Sequence, residues 1–318
     1  MSVYTQLDQQ DFEYISQAYQ LGTPIEFKGV ADGIENTTYF FKTQKDHQIN
    51  EWVFTLFEYT QPASLPYYLE LYDHLYQGGV PVPDPLLNKA GHRLITLHDK
   101  PGAVFPRLPG RPPEQITTEL CFQCGAGLAR FHQVGESYPQ QHACPKGLAF
   151  WQASVHAFSN LPDDDVQLIQ SVISDYLSVC EGLPKTSVHG DLFADNVLVN
   201  EGKLTAIIDL FNASYDLAVF DLAITLNDWA YDDRHQCDGV KYQAMLDGYQ
   251  SLRPLSAAEQ TALPIMQQAA ALRFWLSRID TEQTFQQHQN DGHISTKDPN
   301  AMKYFLISLQ TTRNATED

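Results

Sequence analysis

The sequence predicts an α+β protein of two lobes, a small lobe built on an antiparallel sheet and a larger, mostly helical lobe. Strand-like runs are concentrated in the first third of the 318 residues, and helical patterns dominate the remainder. Proline and glycine crowd the segment Arg107-Leu108-Pro109-Gly110 between the two regions, which is typical of a connection. We therefore place an N-terminal lobe at residues 1–107 and a C-terminal lobe at residues 108–318.

The small lobe is predicted to begin with a helix. Thr5-x-x-Asp8 has the spacing of a capping box, and Gly22 marks where the helix ends. Four strand-like runs and one further helix follow, and that helix ends before Gly78-Gly79. The strands are predicted at residues 38–42, 52–57, 93–97 and 103–105, and the helix at residues 66–77.

The larger lobe is predicted to contain five helices and one hairpin. Ser256-x-x-Glu259 supplies a capping box for the last helix. Two short apolar runs joined by Glu201-Gly202 form the hairpin, and they are the only strands predicted in this lobe. The helices are expected at residues 118–133, 164–180, 221–229, 242–250 and 257–280, and the strands at residues 197–199 and 205–208.

The charge balance argues against two classes of function. The chain carries 20 Lys and Arg against 39 Asp and Glu, a net charge of −19, so its surface repels nucleic-acid phosphates and anionic lipid. No apolar run is long enough to span a bilayer, and residues 1–8 lack the basic and apolar regions of a signal peptide. We expect a cytoplasmic protein without nucleic-acid or membrane partners.

The cysteines are predicted to be structural. Five is an odd number in a chain of this size, which argues against a disulfide framework. Cys121 and Cys124 have the spacing of a metal or redox pair, but they fall within a helical pattern and no second Cys/His pair accompanies them. We therefore expect small buried thiols within a helix.

The stretch His189-Gly190-Asp191-Leu192-Phe193-Ala194-Asp195-Asn196 carries the clearest chemical signal. It places the acid Asp191 and the amide Asn196 five residues apart, and a second acid, Asp209, follows the next apolar run. Phosphoryl transfer needs such a set of groups. One carboxylate accepts the proton of an acceptor hydroxyl, while an amide and a second acid hold the metal on the nucleotide phosphates.

This stretch resembles the His-Gly-Asp-x-x-x-x-Asn motif of the aminoglycoside phosphotransferase and protein-kinase-like superfamily, and nearly the whole chain is similar to the homoserine kinases of many proteobacteria. The resemblance implies the bilobal protein-kinase-like fold. It also implies an enzyme that uses ATP and Mg²⁺ to phosphorylate the hydroxyl of L-homoserine, giving O-phospho-L-homoserine for threonine biosynthesis. The other similar segments are Val3-Tyr4-Thr5 and residues 29–37, 54–58, 216–224, 271–274 and 296–299.

The resemblance assigns roles around the motif. Asp191 is the catalytic base, and Asn196 and Asp209 hold Mg²⁺, a cation that prefers oxygen ligands. His189 is expected to brace the loop rather than to transfer protons. Two structural interpretations are open for Asp221: an N-cap of its helix and, by resemblance, an anchor that holds the catalytic loop through main-chain hydrogen bonds.

A nucleotide site in the small lobe is also implied. Gly29, Gly33 and Asn36 lie in a loop whose N–H groups can cover phosphates. By resemblance alone, the adenine is expected beside Phe105 and Leu108, where it would bind main-chain groups.

One position departs from the wider superfamily. Many relatives carry a phosphate-binding lysine on the third strand, and that position is occupied here by Thr55. The residue that would balance the negative charge of the nucleotide phosphates is therefore unassigned. Lys28 and Lys42 are candidates, although each is also expected on a solvated surface.

The charged ends of an amino-acid acceptor need partners. Arg273 and Arg278 stand on an apolar helix, and either guanidinium could clamp a carboxylate through two hydrogen bonds or pair with one of the many acids. Asn212, Tyr215 and Trp229 follow the metal-binding strand, and each is either a pocket residue or a packing residue.

Other functions on the same scaffold stay open. Kinases of choline, ethanolamine, methylthioribose and aminoglycosides share the motif, and choline would call for an aromatic cage. An inactive nucleotide-binding regulator is favoured only by the missing lysine at Thr55. The presence of Asp191, Asn196 and Asp209 argues against that regulator.

Overall fold

The computed structural model describes residues 5–30, 36–158, 161–287 and 298–317. The chain divides into two compact units, Met1–Gly110 with Thr205–Phe211 and Arg111–Leu204 with Asn212–Asp318. The first unit contains a five-stranded antiparallel sheet, and the second is mostly helical. The predicted α+β class is confirmed.

The first unit is organised around one sheet with the strand order β1-β2-β3-β5-β4. The elements are α1 (Gln9–Tyr19), β1 (Thr23–Gly29), β2 (Asn36–Lys45), β3 (Gln48–Phe57), α2 (Leu65–Gln77), β4 (Leu94–Leu97) and β5 (Lys100–Pro106). Strand β1 was not predicted. Pro24 and a register shift between Pro24 and Glu26 interrupt its pattern, so that its pairing with β2 defines it.

Helix α1 packs on this sheet because its apolar residues recur at helical spacing. Phe12 and Ile15 are fully buried. The ring of Phe12 stacks on Phe27 of β1 with a centroid distance of 4.4 Å and lies 5.3 Å from the ring of Phe41 of β2. Aromatic contacts at these distances add to the free energy gained from burial alone.

The start of α1 differs from the prediction. Asp8 rather than Thr5 is the N-cap, because its carboxylate accepts from the N–H groups of Gln10 and Asp11 while the Asp11 side chain accepts from the Asp8 N–H. The Thr5 hydroxyl instead donates to Glu58 Oε1 at 2.7 Å. The capping box is therefore present, but it starts three residues later in the chain than predicted.

From residue 111 onward the described chain is dominated by helices. Its elements are α3 (Thr118–Gly135), α4 (Leu148–Ala157), α5 (Asp163–Val179), β6 (Lys185–Val188), β7 (Val197–Asn200), β8 (Lys203–Ile207), β9 (Ser214–Leu217), α6 (Ala218–Trp229), α7 (Gly239–Leu252), α8 (Ala257–Gln287) and α9 (Pro299–Glu317). The five predicted helices and the β7–β8 hairpin are confirmed, but the prediction missed α4 and α9. The capping box is also confirmed: the Ser256 N–H donates to Glu259 Oε2 at 2.9 Å. None of the helices in the described ranges is long and apolar enough to cross a membrane.

The prediction that the hairpin contains the only strands of this region is wrong. Strands β6 and β9 pair antiparallel, with Thr186 opposite Asp216 and Val188 opposite Ser214. Both strands are four residues long and rich in polar side chains, so neither shows an apolar pattern. Their ladder forms between segments that are distant in sequence, which local patterns do not reveal.

Helices α3 and α7 pack closely through two glycines. A Cβ atom at Gly248 would lie 2.0 Å from the Phe122 carbonyl oxygen, and one at Gly125 would lie 2.1 Å from the Met245 carbonyl oxygen. Both obstacles are main-chain atoms, which cannot rotate away. The spacing between these helices therefore depends on the absence of side chains at both positions.

We expect Gly248→Ala to destabilise the protein by about 1–3 kcal/mol, because overpacking a tight interface costs this much. The matched control is Gly239→Ala at the start of the same helix, where a Cβ would meet nothing within 4 Å. Alanine usually stabilises a helix relative to glycine, so the control should unfold at the wild-type temperature or above. Thermal unfolding of both variants tests this, and equal melting temperatures would contradict it.

The prediction for Cys121 and Cys124 is confirmed. Both side chains are fully buried in α3 and neither forms a disulfide. Burial raises the pKa of the Cys121 thiol to about 11 and raises that of Cys124 as well. Since the thiolate is the reactive form of cysteine, both act as packing groups.

Candidate active site

The predicted catalytic stretch forms a compact loop between β6 and β7. The Asn196 side-chain Nδ2 donates to the Asp191 carbonyl oxygen at 2.8 Å, and the Phe193 N–H donates to the same oxygen at 2.8 Å. A short 3₁₀ turn, Ala194–Asn196, completes the loop. The structure thus brings Asp191 and Asn196 together, and both side chains are half-buried.

Asp221 holds the first half of this loop. Its Oδ2 accepts from the His189 N–H at 2.8 Å, and its Oδ1 accepts from the Gly190 N–H at 2.7 Å. A third contact, 3.0 Å long, joins Oδ2 to His132 Nε2 of α3. The N-cap interpretation is wrong, because Leu217 is the N-cap and Asp221 lies in the first turn of α6, fully buried.

The surroundings of Asp221 keep it ionised. Burial raises the pKa of this carboxyl, but the hydrogen bonds from His132 and the Gly190 N–H outweigh that effect and hold it below its usual range. A buried carboxylate with several donors can be retained without an unpaired charge. His132 was not singled out from the sequence, since the only signal there is a histidine at the end of a helical pattern.

Position 190 requires glycine, because its backbone conformation disfavours other residues and there is no room for a side chain. Its φ is +77°, and a Cβ there would lie 2.6 Å from the Asn212 carbonyl oxygen. Its own carbonyl accepts from Arg273 Nη1 at 2.6 Å. Arg273 is therefore directed at the main chain of the loop, and its side chain is 4% exposed.

Three further side chains support the loop. His189 is fully buried and its Nδ1 accepts from the Asp191 N–H at 3.2 Å, which fits a bracing group. Trp229 is also buried, and its Nε1 donates to the Leu192 carbonyl at 3.1 Å. Of the two interpretations left open for Trp229, these contacts favour packing. Asp228, which the sequence did not indicate, accepts from the Ala194 N–H at 2.8 Å.

One of the predicted acceptor residues lies near the Asp191 carboxylate. Asn212 Nδ2 is 3.4 Å from Asp191 Oδ2. Arg278 is half-buried on α8, where burial lowers its pKa while the charges of Asp298 and Asp191 oppose that shift. Its Nη1 donates to the Asp298 carbonyl at 3.0 Å. Tyr215 is half-buried in β9.

Within the described residues, neither arginine forms the ion pair that was the alternative interpretation. No carboxylate of the described residues lies within 4.0 Å of the guanidinium of Arg273 or Arg278. Arg273 is occupied by the loop, whereas Arg278 keeps donors beyond its one contact with Asp298 among the described residues.

Asp209 lies in the first unit, two residues after the end of β8. Its φ of +64° is in the left-handed region, which is uncommon outside glycine and is often found at functional positions. The residue that follows is fixed by α2, because the Leu210 N–H donates to the Tyr72 hydroxyl at 3.0 Å. Burial, and then the charge of Asp209, raise the pKa of that phenol, so Tyr72 stays a neutral hydrogen-bonding group.

The nucleotide candidates belong to the first unit. Gly29 ends β1 and Asn36 begins β2, and the Asn36 Oδ1 accepts from the Glu58 N–H at 3.3 Å. Gly33 lies outside the described residues. Phe105 is buried in β5 with its ring 5.3 Å from that of Tyr72, and Leu108 follows β5 half-buried.

Thr55 is buried in β3 opposite Thr38 of β2 and Ala103 of β5. Of the lysines considered as substitutes for the missing cation, Lys42 is engaged by Glu26 at 2.9 Å and Glu51 at 3.7 Å. Lys28 is exposed on β1. Within the described residues, no group of three or more His, Cys, Asp or Glu side chains is arranged to hold a metal.

Comparison with known proteins matches residues 26–255 to the phosphotransferase enzyme family. A homoserine kinase of Polaromonas naphthalenivorans is 37% identical over 286 residues, which cover 88% of this chain and 89% of that protein. One of Neisseria meningitidis serogroup B is 36% identical over 312 residues, covering 97% and 100%. Among solved structures, amicoumacin kinase hAmiN in complex with AMP-PNP, Ca2+ and Ami superposes with a TM-score of 0.73 at 16% identity, covering 96% and 94%.

The structural match concerns the fold and confirms the predicted protein-kinase-like, aminoglycoside phosphotransferase-like class. The matches to the bacterial proteins span nearly their entire length, and they confirm the predicted resemblance. This chain belongs to the phosphotransferase enzyme family and, within that family, to the homoserine kinases.

Proposed function

We propose that this protein transfers the γ-phosphoryl group of ATP to the hydroxyl of L-homoserine, giving O-phospho-L-homoserine for threonine biosynthesis. The 36% identity to a homoserine kinase over 97% of this chain carries the choice of acceptor. The loop that presents Asp191, held through its main chain by Asp221 and Arg273, supports the choice of reaction.

Asp191 acts as the catalytic base. The homoserine hydroxyl oxygen attacks the γ-phosphorus, the bond from that phosphorus to the β–γ bridging oxygen breaks, and ADP leaves. The hydroxyl proton passes to the Asp191 carboxylate. Asn212 Nδ2, 3.4 Å from Oδ2, helps to orient that carboxylate toward the acceptor.

Asn196 and Asp209 hold Mg²⁺. The side chain of Asn196 fits this role, because its Nδ2 is used by the Asp191 carbonyl while its Oδ1 has no hydrogen-bond donor among the described residues. An amide oxygen and a carboxylate are suitable ligands for Mg²⁺, which usually completes its shell with water and substrate phosphates rather than further protein groups. When bound, the ion would neutralise charge on the phosphates.

The nucleotide is bound by the first unit. The segment from Gly29 through Gly33 to Asn36 covers the phosphates with main-chain N–H groups. Thr55 of β3 belongs to the same proposed nucleotide site, and the adenine contacts the chain at Phe105 and Leu108.

The acceptor's charged ends are bound by the second unit. Arg278 binds the homoserine carboxylate, since it is half-buried and, among the described residues, its guanidinium has donors beyond its one contact with the Asp298 carbonyl. Arg273, the other candidate for binding this carboxylate, instead supports the site by donating to the Gly190 carbonyl. Asn212 and Tyr215 line the pocket, and Trp229 packs beneath the loop.

Arg278→Met is expected to raise the KM for homoserine on the order of 10- to 100-fold, the effect of losing a charged hydrogen-bonding partner. The KM for ATP should stay within about twofold. Arg234→Met, which removes the same charge from an exposed position, is the control and should behave as wild type. Steady-state kinetics with each substrate varied in turn measure both constants. An unchanged KM for homoserine in the Arg278 variant would remove this residue from the acceptor site.

A coupled ADP-release assay with ATP and Mg²⁺ tests the proposed function. Homoserine, choline, ethanolamine and kanamycin are compared at equal concentration, and mass spectrometry identifies the phosphorylated product. We expect turnover with homoserine at least tenfold above that with the others. Faster turnover of another acceptor would overturn the proposed substrate, and ADP release with none of them would favour a nucleotide-binding regulator.

A further inference from the structure

A buried carboxylate gathers three donors at one end of the sheet in the first unit. Glu58 Oε1 accepts from the Thr5 hydroxyl at 2.7 Å and from the Thr37 hydroxyl at 2.6 Å. Its Oε2 forms an ion pair with the Lys100 ammonium, which also donates to Thr5 Oγ1 at 2.9 Å. We call these four residues the Glu58 cluster.

The Glu58 cluster lies where the predicted phosphate loop leaves the sheet. Asn36 and Thr37 are the first two residues of β2, and Asn36 pairs with Phe57, the residue before Glu58. Lys100 begins β5, which is the neighbour of β3 on its other side. The connection between β1 and β2, which contains the predicted phosphate-binding residues, therefore ends at Asn36, next to Thr37 of this cluster.

The cluster holds its charges rather than neutralising them. Burial raises the pKa of Glu58, whose side chain is 4% exposed, but the hydrogen bonds from Lys100, Thr37 and Thr5 outweigh it and leave the pKa below its usual range. A charge taken out of water at this depth is retained only with such partners. An ion pair is not needed merely to attach the N-terminal segment to the sheet, because the hydrogen bonds from the Thr5 and Thr37 hydroxyls to Glu58 already do so.

The Lys100 ammonium is held in place, but its contacts do not use all of its N–H donors among the described residues. The Lys100 side chain is 38% exposed. Of its three N–H groups, Thr5 and Glu58 use two among the described residues, so one donor is left for a ligand. Lys42, on the same sheet, faces two carboxylates instead.

We propose that Lys100, positioned by Glu58, supplies the positive charge for the nucleotide phosphates that Thr55 does not provide on the third strand. This inference rests on the proposed use of ATP as phosphoryl donor. A lysine at the first position of β5 thus takes the place of the lysine that many relatives carry within β3. The Thr5 and Thr37 hydroxyls keep the Glu58 carboxylate, and through it the ammonium, in one orientation.

Isothermal titration calorimetry of ATP, ADP and adenosine in the presence of Mg²⁺ tests the proposal. We expect Lys100→Met to weaken ATP binding on the order of 10- to 100-fold, as for the loss of a charged hydrogen bond, and to leave adenosine binding within about threefold. Lys42→Met is the matched control, an ion-paired lysine on the same sheet, and should bind ATP as wild type does. Lys100→Arg should retain most of the affinity because it keeps the charge.

Removing Lys100 alone leaves the buried Glu58 carboxylate without its cation, so the single variant risks unfolding. The double variant Glu58→Gln/Lys100→Gln removes both charges together, and its ATP affinity should fall as in the single variant. Wild-type ATP affinity in folded Lys100→Met or in the folded double variant, or an equal loss of affinity in Lys42→Met, would overturn the proposal. A wild-type protein that does not bind ATP would instead overturn the proposed function, which separates the two failures.

Discussion

Asp191→Asn is expected to lower kcat about 10²–10⁴-fold, the usual contribution of a positioned base. The amide keeps the shape of the side chain but cannot take up the acceptor proton. The loop should keep its conformation, because its hydrogen bonds run through the Asp191 main chain and through Asp221. Steady-state kinetics with ATP and homoserine measure the loss, and thermal unfolding verifies that the fold is retained.

The same loop offers a matched control for this experiment. Asp195→Asn makes the same substitution four residues later, at a side chain that is exposed. It should leave kcat within about twofold of wild type, since a surface substitution with no buried partner has little effect. If Asp191→Asn and Asp195→Asn had the same activity, Asp191 would not be the base.

Asp221→Ala is expected to reduce the free energy of unfolding by about 3–5 kcal/mol, as for removal of one partner of a buried charge pair. The change leaves the His189 and Gly190 N–H groups and the His132 ring without their acceptor in the interior. Urea unfolding at pH 7 measures the effect. Asp247→Ala on α7, where the carboxylate is exposed, is the control and should change stability by less than about 0.5 kcal/mol.

The pH dependence gives a second readout for Asp221. The pKa of its carboxyl is lower in the folded protein than its usual value. The stability that it contributes is therefore present above the unfolded pKa of about 3.9 and is lost as the pH falls through the folded pKa. The difference in unfolding free energy between wild type and Asp221→Ala should shrink below about pH 4. A constant difference down to pH 3 would mean that ionisation of Asp221 does not stabilise the fold.

The two predictions separate chemistry from support. Asp191 acts on the acceptor, so its substitution should lower kcat without changing the stability of the protein. Asp221 is fully buried and acts through the loop, so its loss appears first in stability and lowers activity only as the loop loses its shape. This division follows from which atoms each carboxylate contacts.

Local features of the sequence were enough to predict several elements. Helix α2 begins near Pro66 and ends before Gly78-Gly79, and α8 begins at Ala257, immediately after the first residue of the Ser256–Glu259 capping box. Proline, glycine and capping residues act on their own neighbours in the chain, so their effect can be read without the fold. The catalytic stretch was equally recognisable, because its acid and amide are five residues apart.

Contacts between distant residues decided the rest. The pairing of β6 with β9, the three hydrogen bonds to Asp221 and the Glu58–Lys100 ion pair all join residues at least 26 positions apart in the sequence, and none leaves a local pattern. The different roles of Arg273 and Arg278 also leave no local pattern, because both residues are arginines on the same helix. Only the structure shows that Arg273 donates to the Gly190 carbonyl of the loop while Arg278 donates to the Asp298 carbonyl. Sequence alone therefore determined the class of chemistry, because the groups that carry it are neighbours in the chain. Tertiary structure decided how those groups are held, because each support comes from a part of the chain that only folding brings near.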